Sequence, residues 1–233
     1  AMIFNESVKN DSNPVDKTEK FMFDGERLIQ HIIKQRYFEE EISNEVNLSY
    51  SDNQVTVTTD YLTLVYTLNS EGYASQCVYS LSSQNRIYQF SYSAEGYLTG
   101  IVESIDNTEY SSTSLTYENG DITSISSKMN GLENKFIYEP GEESSTYHLP
   151  CLGLLEIHPL TFHIEALYAG LLGKDPRHFT MHSCPAGSND EKTVYSYGFD
   201  KKGNPSRMIC QTTYAGGQAN YYPYTRNISV SFE

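Results

Sequence analysis

A short phrase built around a glycine recurs along the chain and constrains its fold more than any other feature. Gly72, Gly96 and Gly203 each follow a stretch in which large apolar and small polar residues alternate. A period of two is typical of a strand with one buried face, and a glycine in fixed register behind it suits a tight turn with positive φ. The phrase is therefore predicted to be a β-hairpin with a bulge, and it occurs as "YTLNSEGYASQC", "FSYSAEGYLTGI" and "YGFDKKGNPSRM".

The spacing of the glycines predicts that these hairpins follow one another without interruption. Gly72, Gly96 and Gly120 are 24 residues apart, which leaves room for two strands of about eight to ten residues and a turn. The stretch 28–36 also fits a helical pattern, but the Asp-Gly turn before it favours a strand. Further hairpin turns are predicted at Asp24–Gly25, Asp52–Asn53 and Pro140–Gly141.

One segment departs from the period of two. In "HPLTFHIEALYAGLLGKDP", apolar residues from Leu160 to Leu171 recur at spacings of three and four, which is one face of an α-helix. Pro159 suits the first helical turn, and Gly173 suits the position just after the last one. A single helix is therefore predicted at about 159–172.

These elements predict one all-β domain that covers residues 1–233. About a dozen antiparallel strands form a hairpin meander curved into an open or partial barrel, and the helix packs on its concave face because each apolar surface covers the other. Residues 1–18 are predicted to be a flexible N-terminal segment, and residues 150–180 a helix-containing insertion between hairpins.

The composition excludes several classes of function. A formal net charge of −14 repels phosphate backbones and anionic membrane surfaces, so no nucleic-acid partner is predicted. No apolar stretch approaches the ~20 residues of a membrane-spanning helix. The chain has 20 Tyr and 10 Phe but no Trp, an aromatic set that favours strands.

A row of tyrosines on one face of the predicted strands is open to two interpretations. They either pack in the core or line a groove that binds an amphiphile or a glycan. These candidate ligand-binding residues are Tyr66, Tyr88, Tyr92, Tyr195 and Tyr197.

The His-rich segment 148–184 holds the densest collection of metal-type ligands, but their spacing is poor for a tetrahedral site. His178, His182 and Cys184 are the weak metal candidates, and neither a metal nor any other cofactor is predicted. The chain also lacks a G-x-S-x-G nucleophile pattern, so no catalytic residue is assigned. The spacing of its four cysteines, Cys151 included, allows either a disulfide or buried thiols.

Five stretches in order, "FDGERLIQHI", "YSDNQVTVT", "YTLNSEGYASQCVY", "FSYSAEGYLTGI" and "HPLTFHIEALYAGLLGK", resemble a family of exported proteins of unknown function from Bacteroides-type bacteria. The resemblance covers almost the whole chain and implies a porin-like β fold. It also implies a cell-envelope location, in the periplasm or on the outer-membrane surface, with a lipid anchor at a removed N-terminus. The family brings no established activity.

The function expected from these observations is a non-enzymatic binding or interaction module of the cell envelope, whose partner is an unknown protein, glycan or amphiphile. The alternative is a carrier that holds a lipid-like or other amphiphilic ligand in the mouth of the barrel. A hydrolase or metal enzyme that uses residues 148–184 is the third and weakest hypothesis.

Overall fold

The computed structural model describes residues 1–9, 15–37, 40–81, 84–144, 157–188, 191–214 and 224–233. Sixteen strands pair in a closed barrel, and each is antiparallel to the next along the chain. The strands are β1 Met2–Lys9, β2 Val15–Asp24, β3 Arg27–Tyr37, β4 Glu40–Ser51, β5 Gln54–Thr58, β6 Thr63–Leu68, β7 Ala74–Leu81, β8 Gln84–Tyr92, β9 Leu98–Ile105, β10 Thr108–Glu118, β11 Asp121–Met129, β12 Leu132–Ser144, β13 His178–Pro185, β14 Glu191–Phe199, β15 Pro205–Tyr214 and β16 Tyr224–Phe232.

The barrel is closed, so the expected open or partial barrel of about a dozen strands is wrong. Closure depends on β1, which pairs with β16 on one side and with β2 on the other. Residues 2–9 therefore form a wall strand, although 1–18 were expected to be a flexible segment; residues 10–14 lie outside the described part. An open sheet would expose two rows of unpaired N–H and C=O groups, and the β1–β16 pairing satisfies both.

The glycine hairpins are confirmed. Gly72, Gly96 and Gly203 have φ of 83°, 92° and 85°. In each hairpin the pairing register shifts just before the turn, as a bulge requires. These turns and both chain termini lie at one end of the barrel, called here the glycine end, whereas the turns at Asp106–Asn107 and Asn130–Gly131 lie at the opposite end.

The three further turn assignments have different outcomes. The stretch after Asp24–Gly25 is strand β3 and not a helix, and β4 and β5 meet at Asp52–Asn53. The turn expected at Pro140–Gly141 is wrong, because both residues lie within β12. There the register with β13 shifts, since proline has no N–H to give to the ladder.

The helical segment forms a plug inside the barrel, defined here as residues 157–177. It contains a 3₁₀ helix, Leu160–His163, and one α-helix, α1, Ile164–Tyr168. The expected helix at 159–172 is therefore too long. It ends early because Gly170, with φ of 71°, closes a Schellman motif in which Gly170 N–H donates to Leu167 O and Leu171 N–H donates to Ala166 O.

The plug contacts strands on several sides of the lumen, which confirms its expected position on the concave face. Tyr168 stacks on Phe21 of β2, with ring centroids 4.0 Å apart. His163 packs edge-on against Tyr88 of β8, with centroids 4.4 Å apart. The N–H of Ala74 on β7 donates to Leu171 O at 2.7 Å. The inward strand faces and the plug together form one apolar core.

The last residues of the plug are fixed to turns of the glycine end. Lys174 N–H donates to Gly96 O at 2.9 Å, and Arg177 N–H donates to Gly120 O at 3.0 Å. Within the described residues, no helix has the length and apolar character needed to cross a membrane.

Truncating the plug should destabilise the whole barrel. Leu171 is 5% exposed, and Leu171→Ala should lower the free energy of unfolding by ~2–5 kcal/mol, because it leaves a cavity in a packed site. Leu132 is 73% exposed, so Leu132→Ala is the control and should cost less than ~0.5 kcal/mol. Urea unfolding of both variants measures the difference, and equal midpoints would mean that the plug is not part of the core.

Substitutions at Gly72 and Gly173 distinguish the cost of an unfavourable φ from the cost of a steric clash. Gly72 and Gly173 both have positive φ, but a Cβ on Gly72 would meet nothing within 4 Å, whereas one on Gly173 would lie 2.6 Å from Gly96 O. Gly72→Ala should therefore cost only the ~1 kcal/mol of the unfavourable φ. Gly173→Ala should cost clearly more, because the plug must move away from the turn. Urea unfolding compares the two variants, and a cost for Gly173→Ala no larger than that for Gly72→Ala would contradict this close approach.

Candidate functional site

His163 lies at the centre of the contacts between plug and wall. It is fully buried and enclosed by the rings of Tyr66, Tyr88, Phe90 and Phe162. Burial lowers the pKa of His163 to about 3, so the ring is neutral at neutral pH. Its Nδ1 lies 2.7 Å from the Tyr66 hydroxyl, and burial raises the pKa of Tyr66, so this hydroxyl keeps a proton to donate.

Glu103 of β9 is a second buried anchor. Its carboxylate accepts hydrogen bonds from Ser111 at 2.6 Å and from Tyr88 at 3.2 Å. Arg86 Nη1 lies 3.2 Å away, and Nε2 of His158, from the plug, lies 3.3 Å away. Burial alone would raise the pKa of Glu103, but hydrogen bonds from His158 and Ser111 and the charge of Arg86 hold it at about 2. An ionised, fully bonded carboxylate therefore ties the start of the plug to the wall.

His31 of β3 forms the third anchor, with Glu165 of α1. Its Nδ1 is 2.7 Å from Glu165 Oε1, and its Nε2 is 3.4 Å from Glu19 Oε1. The second distance suits an ion pair, although the geometry is too poor for a hydrogen bond. The ring stacks on Phe21, with centroids 4.0 Å apart.

The charge state of this third anchor follows from its partners. Burial alone would lower the pKa of His31, but Glu165 and Glu19 outweigh burial and raise it. Burial alone would likewise raise the pKa of Glu19, but His31 and Lys17 outweigh burial and lower it. The anchor is thus an acid–base cluster in which the charged forms support one another.

The five candidate tyrosines fall into two groups. Three contact the plug or its anchors: Tyr66 and Tyr88 as described, and Tyr92 by donating its hydroxyl to Leu171 O at 3.3 Å as well as to Ala74 O of β7 at 2.7 Å. The other two lie across the barrel. Tyr197 donates to Thr180 O at 2.8 Å, and the Tyr195 hydroxyl is 3.1 Å from Ser183 Oγ. The five tyrosines do not form one ligand groove. A ligand-binding role stays a prediction for a tyrosine that lines a cavity.

The weak metal candidates are directed to separate partners. His178 Nδ1 is 2.9 Å from Asp121 Oδ2, and His182 Nδ1 is 2.9 Å from Glu139 Oε2. Along a strand that rises ~3.3 Å per residue, the two histidines are about 10 Å or more apart. In the part of the chain that the structure describes, no three His, Cys, Asp or Glu side chains converge as metal ligands. His148 and Cys151, also in the His-rich segment, lie outside that part.

The question of disulfide or thiols is answered for two cysteines. Cys77 and Cys184 are free thiols. Burial raises the pKa of Cys77 to about 12, which keeps it protonated and unreactive at neutral pH.

A cavity of about 410 Å³ remains between the plug and strands β11–β16. Its floor includes Ile157 and His158 of the plug, and its lining reaches Met129 and Leu132, beside the turn at the opposite end from the glycine end. Of the candidate tyrosines, Tyr195 lines this cavity. The cavity therefore extends from the plug toward the opposite end of the barrel.

The cavity wall has two chemically different sides. The side formed by β11 and β12 carries four large apolar side chains, those of Ile125, Met129, Leu132 and Phe136, together with Ser127, Asn134 and Tyr138. The side formed by β13–β16 carries mostly hydroxyl groups, from Ser183, Thr193, Tyr195 and Thr212, and also includes Cys210, Glu191 and Arg226.

A larger opening of about 640 Å³ lies at the glycine end. It is lined by turn residues such as Gly25 and Asn204, by both terminal strands, and by the end of α1. Its walls are rim residues of the barrel, whereas the cavity beside β11–β16 lies within the lumen. The lumen cavity is therefore the stronger candidate for a ligand site.

Fold and lumen together define a porin-like protein: a closed antiparallel barrel with a plug formed by its own chain. The chain belongs to the family described as a domain of unknown function (DUF4595) with porin-like fold, whose model matches residues 21–207. Among curated proteins, none matches the chain.

Two solved structures share the fold. The chain is 26% identical to a porin-like protein from Bacteroides uniformis ATCC 8492, with a TM-score of 0.88 over 100% of this chain and 95% of that one. A porin-like protein from Bacteroides vulgatus ATCC 8482 is 12% identical, with a TM-score of 0.61 over 98% of this chain and 97% of that one. The second likeness shows the fold alone.

Sequence reasoning missed the acidic anchors. Glu103 and Glu165 look like ordinary surface residues, and His31 looks like an isolated histidine in an apolar strand. One signal was present for Glu103, which shares the inward parity of Ile101 on β9. A charged residue at an inward position needs a buried partner.

The His31 anchor should make stability depend on pH. A folded-state pKa raised above the unfolded ~6.5 gives a contribution that is complete below that value and lost as the pH rises through the folded-state pKa. The wild-type free energy of unfolding should therefore fall in that window. Glu165→Gln removes the carboxylate that contributes most to raising the pKa of His31 and should flatten the fall, whereas Glu45→Gln, which removes an exposed carboxylate, should leave it unchanged.

Urea unfolding from about pH 6 to pH 9 measures this slope. A wild-type slope that Glu165→Gln leaves intact would show that another group is responsible.

Proposed function

We propose that the protein is a non-enzymatic binding module of the cell envelope that takes a small ligand into the lumen cavity. The observation that carries the proposal is the cavity of about 410 Å³ beside β11–β16, since ligand sites are commonly concave spaces of ~300–1,000 Å³. The plug fills the lumen on the side of β2–β9, so the cavity is bounded by a packed floor.

The use of the titratable groups supports binding over catalysis. Glu103, His31 and His163 have perturbed pKa values, which often mark catalytic groups. Each of them is engaged in joining plug to wall. The side of the cavity formed by β13–β16 offers mainly hydroxyl groups, which suit recognition.

The envelope location is supported by relatives from Bacteroides described as porin-like and by the family resemblance. Fractionation of the native host tests it: the protein should accompany the periplasm or the membrane surface. Recovery of the full-length product from the cytoplasm would contradict the location and leave the binding proposal standing.

A carrier of an amphiphile is the second candidate, because the side of the cavity formed by β11 and β12 carries several large apolar side chains. Ile125, Met129 and Phe136 on that side, and Ile157 on the floor, would bury a hydrocarbon portion of a ligand. A carrier differs from a sensor or adhesion module in releasing its ligand to an acceptor, so ligand transfer between vesicle populations would favour it.

Filling the cavity should abolish binding without unfolding the barrel. Thr212 lines the cavity, and its neighbour Thr213 is exposed. Thr212→Phe should exclude the ligand, whereas Thr213→Phe places the same ring outside. Protein purified from the native envelope, then denatured and extracted, should release a small molecule that mass spectrometry detects in the wild type and in Thr213→Phe.

Thr212→Phe should yield that molecule in strongly reduced amount. Circular dichroism establishes that both variants are folded. A folded Thr212→Phe variant that retains the full amount of ligand, or a wild type that carries none and is stabilised by no component of an envelope extract, would contradict binding in the cavity.

A further inference from the structure

We propose that the ligand of the lumen cavity is an uncharged amphiphile that places hydroxyl groups against β13–β16 and an apolar surface against β11–β12. This inference rests on the proposed function and adds the chemical class of the ligand. It follows from three properties of the cavity: its charges, its hydrogen-bonding groups and its apolar side.

Arg226 of β16, a cationic side chain that lines the cavity, is already neutralised by Glu6. Its Nε and Nη2 donate to both oxygens of Glu6, the second bond at 3.0 Å. Both side chains are largely buried. Bidentate arginine–carboxylate pairs are strong and directional, so an anionic headgroup would have to displace Glu6.

The other charged groups of the cavity attract neither an anion nor a cation strongly. Glu191 lies at the rim of the cavity and makes no ion pair among the described residues, so it repels anions. On the floor, His158 is held by Glu103, which Arg86 also neutralises. Among the described residues that line the cavity, Glu191 is the acidic group that a cation would meet, and it is partly exposed and therefore screened by salt. A charged headgroup placed deeper would lose its hydration without a new partner.

The hydroxyl groups retain hydrogen-bonding capacity for a neutral ligand. Thr193 Oγ1 and Thr212 Oγ1 are 2.9 Å apart. One hydroxyl donates to the other, so the pair keeps one donor and several acceptor positions. Tyr138 also lines the cavity, and its hydroxyl makes no hydrogen bond with the described residues. Groups that both donate and accept match alcohols and sugars better than they match ions.

The apolar side fixes the orientation of the ligand. Ile125, Phe136 and Ile157 lie at the bottom and middle of the cavity, with Met129 and Leu132 nearer its opening. Leu132 is 73% exposed and Met129 is 42% exposed, so both have apolar surface that a ligand can cover. A hydrocarbon portion of the ligand would cover them, and its hydroxyl groups would then face the threonine pair.

Three probes with the same hydrocarbon chain test the charge class: octyl β-D-glucoside, octanoate and octyltrimethylammonium. Isothermal titration calorimetry below the micelle concentration, at one fixed salt concentration, gives the three affinities. Octyl β-D-glucoside should bind at least about tenfold more tightly than either ion. Thr212→Phe should abolish its binding, and Thr213→Phe should leave it unchanged.

A second variant removes hydroxyl groups without filling the cavity. Thr193→Val with Thr212→Val keeps the shape of the wall and should weaken octyl β-D-glucoside binding about five- to tenfold. Binding of octanol, which has one hydroxyl group, should change less. The exposed substitution Thr213→Val is the matched control.

The outcomes separate this inference from the proposed function. Tighter binding of octanoate or octyltrimethylammonium, weakened by Thr212→Phe, overturns the uncharged class and leaves the cavity as the site. Equal binding of octyl β-D-glucoside by folded Thr212→Phe overturns the cavity itself. If no probe binds but the native protein releases a small molecule that Thr212→Phe does not carry, the ligand class is wrong and the binding function stands.

Discussion

The inward side chains of a sixteen-strand barrel cannot reach across to one another, and most of this structure follows from that constraint. Small barrels fill their interior with their own side chains, whereas wide ones enclose open space. Here the chain supplies the missing material from the plug, residues 157–177. The plug therefore belongs to the hydrophobic core, and the apolar faces of β6 and β8 are buried only because it is present.

The contacts that hold the plug are partly polar, which adds specificity to burial. A segment held by apolar packing alone could rotate or shift by a residue at small cost. If the plug shifts, His31 loses Glu165 and Tyr66 loses His163, and Glu103 loses His158, one of its four partners. A buried polar group that loses a hydrogen-bond partner costs free energy. Two sides of the lumen are thereby filled in one defined way, and the space beside β11–β16 stays distinct.

The sequence predicts the local elements of this fold better than their assembly. The phrase around Gly72, Gly96 and Gly203 specifies strand parity, turn and bulge, because these depend on neighbouring residues. The closing strand β1 is not recognisable, since Glu6 interrupts the apolar parity begun by Met2 and Phe4. Its partner Arg226 lies 220 residues away, and sequence alone does not pair such positions.

In the candidate site, too, the sequence predicts local features better than the way they come together. The aromatic face was visible in the sequence, but its split into plug contacts and cavity wall depends on where the helix lies. That position in turn depends on Gly170, whose Schellman motif shortens α1 and turns Leu171 toward Ala74. The His-rich segment suggested metal ligands, whereas His158, His163 and His178 contact residues of three different wall strands.

The plug leaves and rejoins the wall at the same rim, because Ser144 at the end of β12 pairs with His178 at the start of β13. Its insertion into the lumen therefore requires no chain end to pass through the barrel. The plug is a loop folded inward from one side of the barrel. The molecule is topologically as simple as an unplugged meander, and its interior is completed without threading.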